Sequence, residues 1–560
     1  SSTTTRFAPS DFAQSAPTPP CTSSAGTTRQ KLIRPVGRSF SGSSGLVSPC
    51  HVAAEQIIAT AGSLSPRPLF YSGYYGLVTL VATIPGVTVD LADRLLVPVV
   101  AGFGLPPLAL RTLRTIVPER AARIGTCALL IVPFLPLAVS TPQALANTLT
   151  LATALSFPLL FAPPPDERGS VSGSPPFSKG EREGVRVQTR RGLGAAGITA
   201  FAALMAQPFA GIVAVSAAAT VWLSIHGRRI LAGLAAASGA IGIPIAFAIA
   251  DRVLPALDLT VRFHPMAAII ALRDGIMETL AFARADFAGA DALTVAHLLL
   301  PIAWALLTII GFQRAAPRVR GILTIAPFIA LGAAAAVAAT VTVPSQLASE
   351  QSQYPLRLVQ LAALLAMPLA GIGLGAACDR IRTSGVRTAA AIILGTAAAC
   401  TMILAYPRDD AQERSGLWSV SASDIAAVHA IAEDAGDARY VVLANQMLGA
   451  AAVREFGFRP STITEQGETM SFPLPAGGPI ARAFWSYVDA PEPTRTPIDA
   501  AMNLVGADRA YVVLHDYWRN YPRLVETTAT IADSNIGAFS HLRVFRFTRL
   551  TTAEPSPTVE

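Results

Sequence analysis

Long apolar segments recur along most of this chain, and they constrain its fold more than any other feature of the sequence. A helix needs about 20 apolar residues to cross a membrane. Segments near that length or longer cover residues 69–88, 91–110, 124–140, 144–163, 194–225, 230–250, 293–312, 321–342, 355–376 and 388–405. Only 14% of all residues are charged, against about 25% in soluble domains. The sequence therefore predicts a polytopic α-helical membrane domain of about 10–11 spans.

Arginines cluster in the connections between these segments, at residues 111–123, 168–191, 226–229, 314–320 and 380–387. Short loops rich in Arg and Lys tend to face the cytoplasm, so we predict that these five do. We attribute the net charge of +7 to these loop arginines. Basic patches interleaved with aromatic residues, which mark nucleic-acid binding, are absent. We expect membrane lipids as partners and no nucleic acid.

Segment 194–225 decides the sidedness of everything after it, because it connects two arginine-rich loops. As one helix it would be about 48 Å long, too long for a single crossing. Gln207-Pro208 lies inside it, and Pro disfavours a continuous helix. We predict a hairpin of two short helices that break there. The alternative, one long tilted helix, would invert every later assignment.

Five regions follow from these assignments. Residues 1–50 are rich in Ser, Thr and Pro, which predicts disorder. Residues 51–406 form the membrane domain, and within it 164–192 is predicted to be a disordered cytoplasmic loop. Residues 251–291 form a charged extracytoplasmic loop, and 407–560 an extracytoplasmic domain.

The C-terminal region reads as a small soluble α/β domain. Ser421–Asp434 has a helix-capping pattern at its start, and Tyr440–Leu443 is an apolar strand-like run. Further strands are predicted at 510–514 and 542–547, and further helices at 449–456, 497–504 and 523–533. Alternating strands and helices favour a layered α/β fold.

Candidate functional residues begin at His51 and Glu55, which are four apart and share one helical face. Tyr71 and Tyr74 follow at the head of an apolar segment. These residues could line a polar active site. An amphipathic helix lying at the membrane interface would explain the same pattern.

Three further candidates lie in or beside the predicted extracytoplasmic loops. Arg262 and His264 belong to the charged loop, which could bind a lipid phosphate or be an ordinary solvated segment. Arg357 lies near the start of an apolar segment, as does Asp93. An ionisable residue there is either functional or reaches back to the interface.

No strong catalytic motif and no metal-type Cys/His spacing is present. In layout, the chain resembles the GT-C superfamily of polyprenyl-phosphate-sugar-dependent glycosyltransferases, which includes protein mannosyltransferases and oligosaccharyltransferase catalytic subunits. The stretches that carry the likeness are 51–58, Tyr71–Tyr75, Ser423-Asp424 and Tyr440–Leu443. The likeness covers residues 51–560 as architecture.

The resemblance implies an enzyme of the bacterial inner membrane that transfers a sugar from a polyprenyl-phosphate donor to an extracytoplasmic acceptor. Glu55 would be the catalytic acid/base or a ligand of a divalent metal, Mg or Mn. His51, Tyr71, Tyr74, Arg262, His264 and Arg357 would bind substrate, the last three at the donor phosphate. Two spans at 69–88 and 91–110 ahead of a cytoplasmic loop would, however, place Glu55 in the cytoplasm.

Two other functions fit the same layout. A transporter would bind its substrate at a broken helix, and Gln207-Pro208 would be the break. A non-catalytic protein of envelope assembly would keep the fold without the acidic residues. No internal repeat is visible, and a large terminal domain suits a transferase better.

Overall fold

The computed structural model describes residues 48–62, 71–131, 141–161, 179–253, 260–264, 292–342, 348–381, 420–457, 461–464, 467–472, 479–516 and 520–549, with isolated positions between 266 and 270 and between 383 and 396. All of them belong to one unit that spans Gly42–Glu560. The predicted disorder of 1–50 falls almost entirely outside these residues, although Ser48 already begins a helix.

Three helices make up the N-terminal part. They are α1 (Ser48–Ala61), α2 (Ser72–Val81) and α3 (Val89–Arg114). The predicted span at 69–88 is wrong, because α2 has only ten residues and is about 15 Å long. Helix α3 is therefore not preceded by a membrane-spanning helix at residues 69–88. This removes the conflict that placed Glu55 in the cytoplasm.

The remaining apolar segments form a bundle. Its helices are α4 (Glu119–Thr126), α5 (Pro142–Ser156), α6 (Lys179–Ala206), α7 (Pro208–Ile225), α8 (Arg229–Val253), α9 (Ala292–Arg314), α10 (Pro317–Thr340), α11 (Ala348–Leu365) and α12 (Met367–Asp379). Short 3-10 turns follow α4 and α5. Most of the predicted segment 388–405 lies outside the described residues.

Segment 194–225 is a hairpin, as predicted, and the single long helix is excluded. Helix α6 ends at Ala206 and α7 begins at Pro208, with the side chain of Gln207 accepting a hydrogen bond from the Ala210 amide. The two helices pack side by side. Residues 179–192 of the predicted disordered loop belong to α6, which corrects that expectation. The rest of that loop lies outside the described residues.

Contacts outside the helices show which helix ends lie on the same side of the bundle. Strand β1 (Thr260–Val261), after α8, pairs with β2 (Val341–Thr342), after α10. The ends of α8 and α10 therefore lie on one side. Phe209, just past the hairpin apex, contacts Phe247 and Tyr354, which places the apex there too. The Pro208 break is thus the turn of a hairpin, whereas a transporter site would need a break inside a span.

Four helices of the described residues are long and apolar enough to cross a membrane: α3, α7, α8 and α10. Helices α11 and α12 pass the same test together and are bent by 44° at their junction, which makes up to five spans. The chain is an integral membrane protein. The count of 10–11 spans stays a prediction.

Glycines let several of these helices touch backbone to backbone. A Cβ on Gly311 would lie 1.8 Å from the Leu369 carbonyl oxygen, and one on Gly373 would lie 2.0 Å from that of Leu307. A Cβ on Gly371 would lie 2.9 Å from the carbonyl oxygen of Gly125. The close helix packing expected of small residues in membranes is therefore present in α4, α9 and α12.

The C-terminal region forms the expected α/β domain. Its helices are α13 (Ala422–Ala435), α14 (Gln446–Phe456), α15 (Pro479–Val488), α16 (Thr496–Val505) and α17 (Tyr521–Ile531), and its strands are β3 (Tyr440–Leu443), β4 (Ser461–Thr464), β5 (Gly467–Met470), β6 (Arg509–His515), β7 (Ser534–Phe539) and β8 (Leu542–Thr548). Strands β4, β5 and β7 and helix α15 were not predicted. Ser421 and Asp424 form the capping box at the start of α13.

The main sheet has the order β3-β6-β8-β7, with β3 and β6 parallel and the other pairs antiparallel. Alternate strand residues pack on opposite faces. Val441 and Val512 join a core with α15, α16 and α17, whereas Val442 and Val513 join a core with α13 and α14. The sheet is therefore covered by helices on both faces.

Helix α14 also packs against α1. The C-terminal domain thus lies on the same side of the membrane helices as the N-terminal helix that carries His51 and Glu55.

Candidate functional site

Two buried carboxyl groups lie close together where α1 meets the first turns of α3. Glu55, on α1, and Asp93, on α3, are both 0% exposed. Acidic residues are stabilised by the dipole at a helix N-terminus, and Asp90 adds a third carboxyl in the first turn of α3. Asp90 is held by Arg94 at 3.1 Å. The site is therefore strongly acidic and largely shielded from solvent.

Glu55 is the unusual member of this group. Neither of its carboxyl oxygens has a hydrogen-bond partner in the described part of the chain. Burial raises the pKa of Glu55, and the neighbouring carboxyls of Asp93 and Asp90 raise it further. A buried polar group without a partner costs free energy, so an acid kept in this state is a candidate functional group.

Aromatic side chains of α2 and of Tyr71, the residue just before it, surround His51. Its ring centroid lies 5.4 Å from that of Tyr71, 6.2 Å from Tyr74 and 5.7 Å from Tyr75. The Nδ1 atom of His51 lies 2.9 Å from the hydroxyl of Tyr75, and the hydroxyl of Tyr74 donates to Oδ1 of Asp93. Helix α2 therefore contacts the polar groups of both α1 and α3.

His51 and Glu55 lie on one buried face of α1, as their spacing predicts. An interfacial helix would bury an apolar face in lipid. Here the buried face carries a histidine and a carboxyl group and packs against α2 and α3. The arrangement favours the polar-site interpretation of this segment.

Sequence reasoning did not assign Asp93 to the site. From the sequence, Asp93 is only an ionisable residue near the start of an apolar segment, a position at which functional residues can be recognised. Its proximity to Glu55 arises from the packing of helices whose residues are 38 positions apart. No local pattern connects the two.

The three predicted phosphate-binding residues lie elsewhere. Arg262 and His264 are exposed beside β1, where their amides donate to the carbonyls of Thr340 and Ala339 at 2.8 and 2.7 Å. Arg357 is exposed on α11, one turn after Tyr354. In the part of the chain that the structure describes, none of them bonds to Glu55 or Asp93. Their predicted role is therefore not supported by contact with the acidic pair.

The acidic site and the arginine-rich connections are at opposite ends of α3. Asp90 and Asp93 are near its first residue, and Arg111 and Arg114 are in its last turn. The helix has 26 residues and is about 39 Å long. The acidic site and the arginines are therefore separated by the length of a helix that is long enough to cross a membrane.

No protein-family model matches this chain, and no curated protein sequence does. Similar solved structures include ArnT from Cupriavidus metallidurans in the apo state, 13% identical, with a TM-score of 0.43, covering 89% of this chain and 92% of that one. ArnT bound to undecaprenyl phosphate is also 13% identical, with a TM-score of 0.42 and coverage of 91% and 94%. The oligosaccharyltransferase of Archaeoglobus fulgidus, tethered with an acceptor peptide, is 14% identical, with a TM-score of 0.46 and coverage of 84% and 65%.

All of these TM-scores are below 0.5, so the likenesses do not assign a family to this chain. Identities this low assign no role to any residue of this chain.

A divalent metal is compatible with this chemistry. In the described ranges, no group of three or more His, Cys, Asp and Glu residues is arranged to hold a metal ion. Magnesium, however, is commonly held by one or two carboxylates together with waters and substrate phosphates. Glu55 and Asp93 provide such a pair, and the unpartnered oxygens of Glu55 fit a cation.

Proposed function

We propose that this protein is a membrane glycosyltransferase that moves a sugar from a polyprenyl-phosphate donor to an acceptor on the extracytoplasmic side. The observation that supports it most is the buried, unpartnered carboxyl group of Glu55 beside Asp93. The pair lies at the membrane end away from the arginine-rich loops, where α1 meets the C-terminal domain.

Glu55 acts as the general base in this reaction. The acceptor nucleophile attacks the anomeric carbon, and the bond from that carbon to the phosphate oxygen breaks. The phosphate leaves with the bonding electrons, and Glu55 accepts the proton of the nucleophile. A base is most effective when its pKa lies near the working pH. Burial and the neighbouring carboxyls of Asp93 and Asp90 raise the pKa of Glu55 to about 10, so Glu55 must first lose its proton before it can act as the base at neutral pH.

In this proposal Arg262, His264 and Arg357 bind the donor phosphate first, before it reaches Glu55 and Asp93. Guanidinium groups bind phosphates through paired hydrogen bonds. All three residues are exposed and lie on the same side as the hairpin apex. In this proposal the lipid-linked donor brings its phosphate from these residues to the acidic pair.

In the alternative role that the resemblance gives Glu55, it would hold a divalent cation together with Asp93. When bound, such a cation supplies positive charge that stabilises the leaving phosphate. The protein's own part is to keep the two carboxyl groups together and to shield them from water.

The proposal also places the protein in the inner membrane of a bacterium, with the C-terminal domain outside the cytoplasm. The packing of α14 on α1 supports this, since it puts the domain beside the acidic site. An acceptor would then reach the site from the compartment that contains the domain.

An in vitro transfer assay with labelled polyprenyl-phosphate sugars tests this function. The full chain in lipid nanodiscs should transfer label, and Glu55→Gln should abolish transfer. Arg357→Ala should weaken it through a higher KM for the donor. Arg229→Ala, at the first residue of α8 and at the opposite end of that helix from β1, is the matched control and should behave as wild type.

The outcomes separate the alternatives. Transfer that persists in Glu55→Gln would remove Glu55 from the chemistry. A wild-type chain that binds the donor but never transfers its sugar would favour the non-catalytic role in envelope assembly.

A further inference from the structure

Two consecutive tyrosines of α2 bond to different helices. The hydroxyl of Tyr74 donates to Asp93 on α3, and the hydroxyl of Tyr75 lies 2.9 Å from Nδ1 of His51 on α1. Consecutive residues in a helix point about 100° apart, so neighbouring side chains can reach different neighbours. Tyr74 is 0% exposed and Tyr75 is 6% exposed. Their hydroxyls are used inside the protein.

The position of α2 is set by a close contact with the hairpin apex. A Cβ on Gly73 would lie 2.6 Å from Cβ of Met205 and 2.7 Å from its carbonyl oxygen. Only glycine permits this approach at residue 73. Because Met205 is two residues before the Gln207 break, the hairpin fixes where α2 lies, and α2 in turn places both tyrosines.

We propose, on the basis of the function proposed above, that Tyr74 and Tyr75 are positioning residues for the acidic site. Tyr74 holds the carboxyl group of Asp93, and Tyr75 orients the ring of His51. Tyr74 was expected from the sequence to bind substrate. Its burial and its bond to Asp93 instead assign it to the protein's own framework.

This arrangement leaves the carboxyl group of Glu55 available to contact substrate. In the described residues, its oxygens have no hydrogen-bond partner, whereas Asp93 and His51 are each held by a tyrosine. The tyrosines fix the positions of Asp93 and His51 near Glu55 before substrate binds. Small misplacements of groups in an active site lower reaction rates strongly.

Kinetics of Tyr74→Phe and Tyr75→Phe in the full chain test the proposal. The tyrosine-to-phenylalanine change keeps the ring and removes only the hydroxyl. Loss of a hydrogen bond to a charged group should lower kcat about 10- to 100-fold for Tyr74→Phe. Because Tyr74 does not touch substrate, the KM for the lipid-linked donor should change less than about twofold.

Tyr440→Phe is the matched control. Tyr440 makes ring contacts with Phe472 and Tyr511 in the C-terminal domain and should keep wild-type kinetics. A higher KM with an unchanged kcat in Tyr74→Phe would overturn the proposal, because it would make Tyr74 a substrate contact.

A second measurement does not depend on transferase activity. Unfolding is measured for Tyr74→Phe, Asp93→Ala and the double variant. If Tyr74 holds Asp93, the two effects are not additive, since either change removes the same bond. Additive effects would overturn the proposal, whether or not the chain transfers sugar. An absence of transfer with non-additive unfolding would reject only the glycosyltransferase function.

Discussion

Gly211 of α7 lies against Leu204 of α6 so closely that a Cβ on the glycine would be 2.0 Å from the Cα of the leucine. This contact joins two residues on opposite arms of the hairpin. Since the hairpin sets the sidedness of every later helix, the topology depends on a backbone approach that only glycine allows.

Gly211→Ala should therefore destabilise the membrane domain. Overpacking of this kind costs about 1–3 kcal/mol or more, and the unfolding temperature in detergent should fall. Gly197→Ala on α6 is the control, because nothing lies within 4 Å of its added Cβ. It should be neutral or slightly stabilising, as Ala favours helix over Gly by about 0.5–1 kcal/mol. Equal effects of both changes would contradict the hairpin packing.

Gly311→Ala should separate α9 from α12. Its Cβ would meet the Leu369 carbonyl oxygen at 1.8 Å, and backbone cannot move aside as a side chain can. We expect a clear loss of thermal stability or of folded protein in size-exclusion chromatography. Gly321→Ala, with nothing within 4 Å, should leave both unchanged.

Replacing Glu55 should separate stability from activity. Glu55→Leu removes a buried carboxyl group that has no hydrogen-bond partner in the described residues. Removal of such a group is expected to stabilise the fold by about 1–2 kcal/mol while transfer is lost. Gln56→Leu on the exposed face of α1 is the control and should change neither property. A large destabilisation by Glu55→Leu would show that the carboxyl group serves the fold.

Stability of the C-terminal domain should fall in acid through Asp424. Burial by itself would raise the pKa of Asp424, but bonds from His515 and Ser421 outweigh it, so its pKa is lowered. A carboxyl group with a lowered pKa adds stability above its unfolded pKa of about 4, and that stability is lost as pH falls. Asp424→Asn should cost about 1–3 kcal/mol at neutral pH and flatten this dependence.

Hydrogen exchange of β6 amides in the full chain, measured between pH 7 and pH 3, would show the effect. Asp437→Asn, on an exposed residue, is the control. An unchanged acid dependence in Asp424→Asn would exclude the His515–Asp424 pair, 2.8 Å apart, as its cause.

Labelling with a membrane-impermeant maleimide tests the sidedness. The five native cysteines are first replaced by Ala. A cysteine at Thr530, exposed on α17, should react in intact cells, and one at Arg229 should react only after lysis. The physical reason is that arginine-rich loops stay in the cytoplasm. The reverse pattern would put the acidic site and the C-terminal domain in the cytoplasm.

Much of this architecture could be predicted because its signals are local. The break at Gln207-Pro208, the capping box of Ser421 and Asp424, and the strand Tyr440–Leu443 each depend on a few adjacent residues. The span at 69–88 failed because hydropathy alone does not distinguish a short buried helix from a crossing one. Strand β7 (Ser534–Phe539) was missed because its apolar pattern is weak and it is formed by pairing with β8.

The candidate site divides in the same way. The sequence by itself determined that His51 and Glu55 share a helical face, since that follows from the period of the helix. Only the tertiary structure decided that Asp93 lies beside Glu55, that Tyr74 bonds to Asp93, and that Arg262, His264 and Arg357 do not bond to either acid. The reason is that helical periodicity relates residues a few positions apart, whereas contacts between helices depend on close packing such as that of Gly73 on Met205.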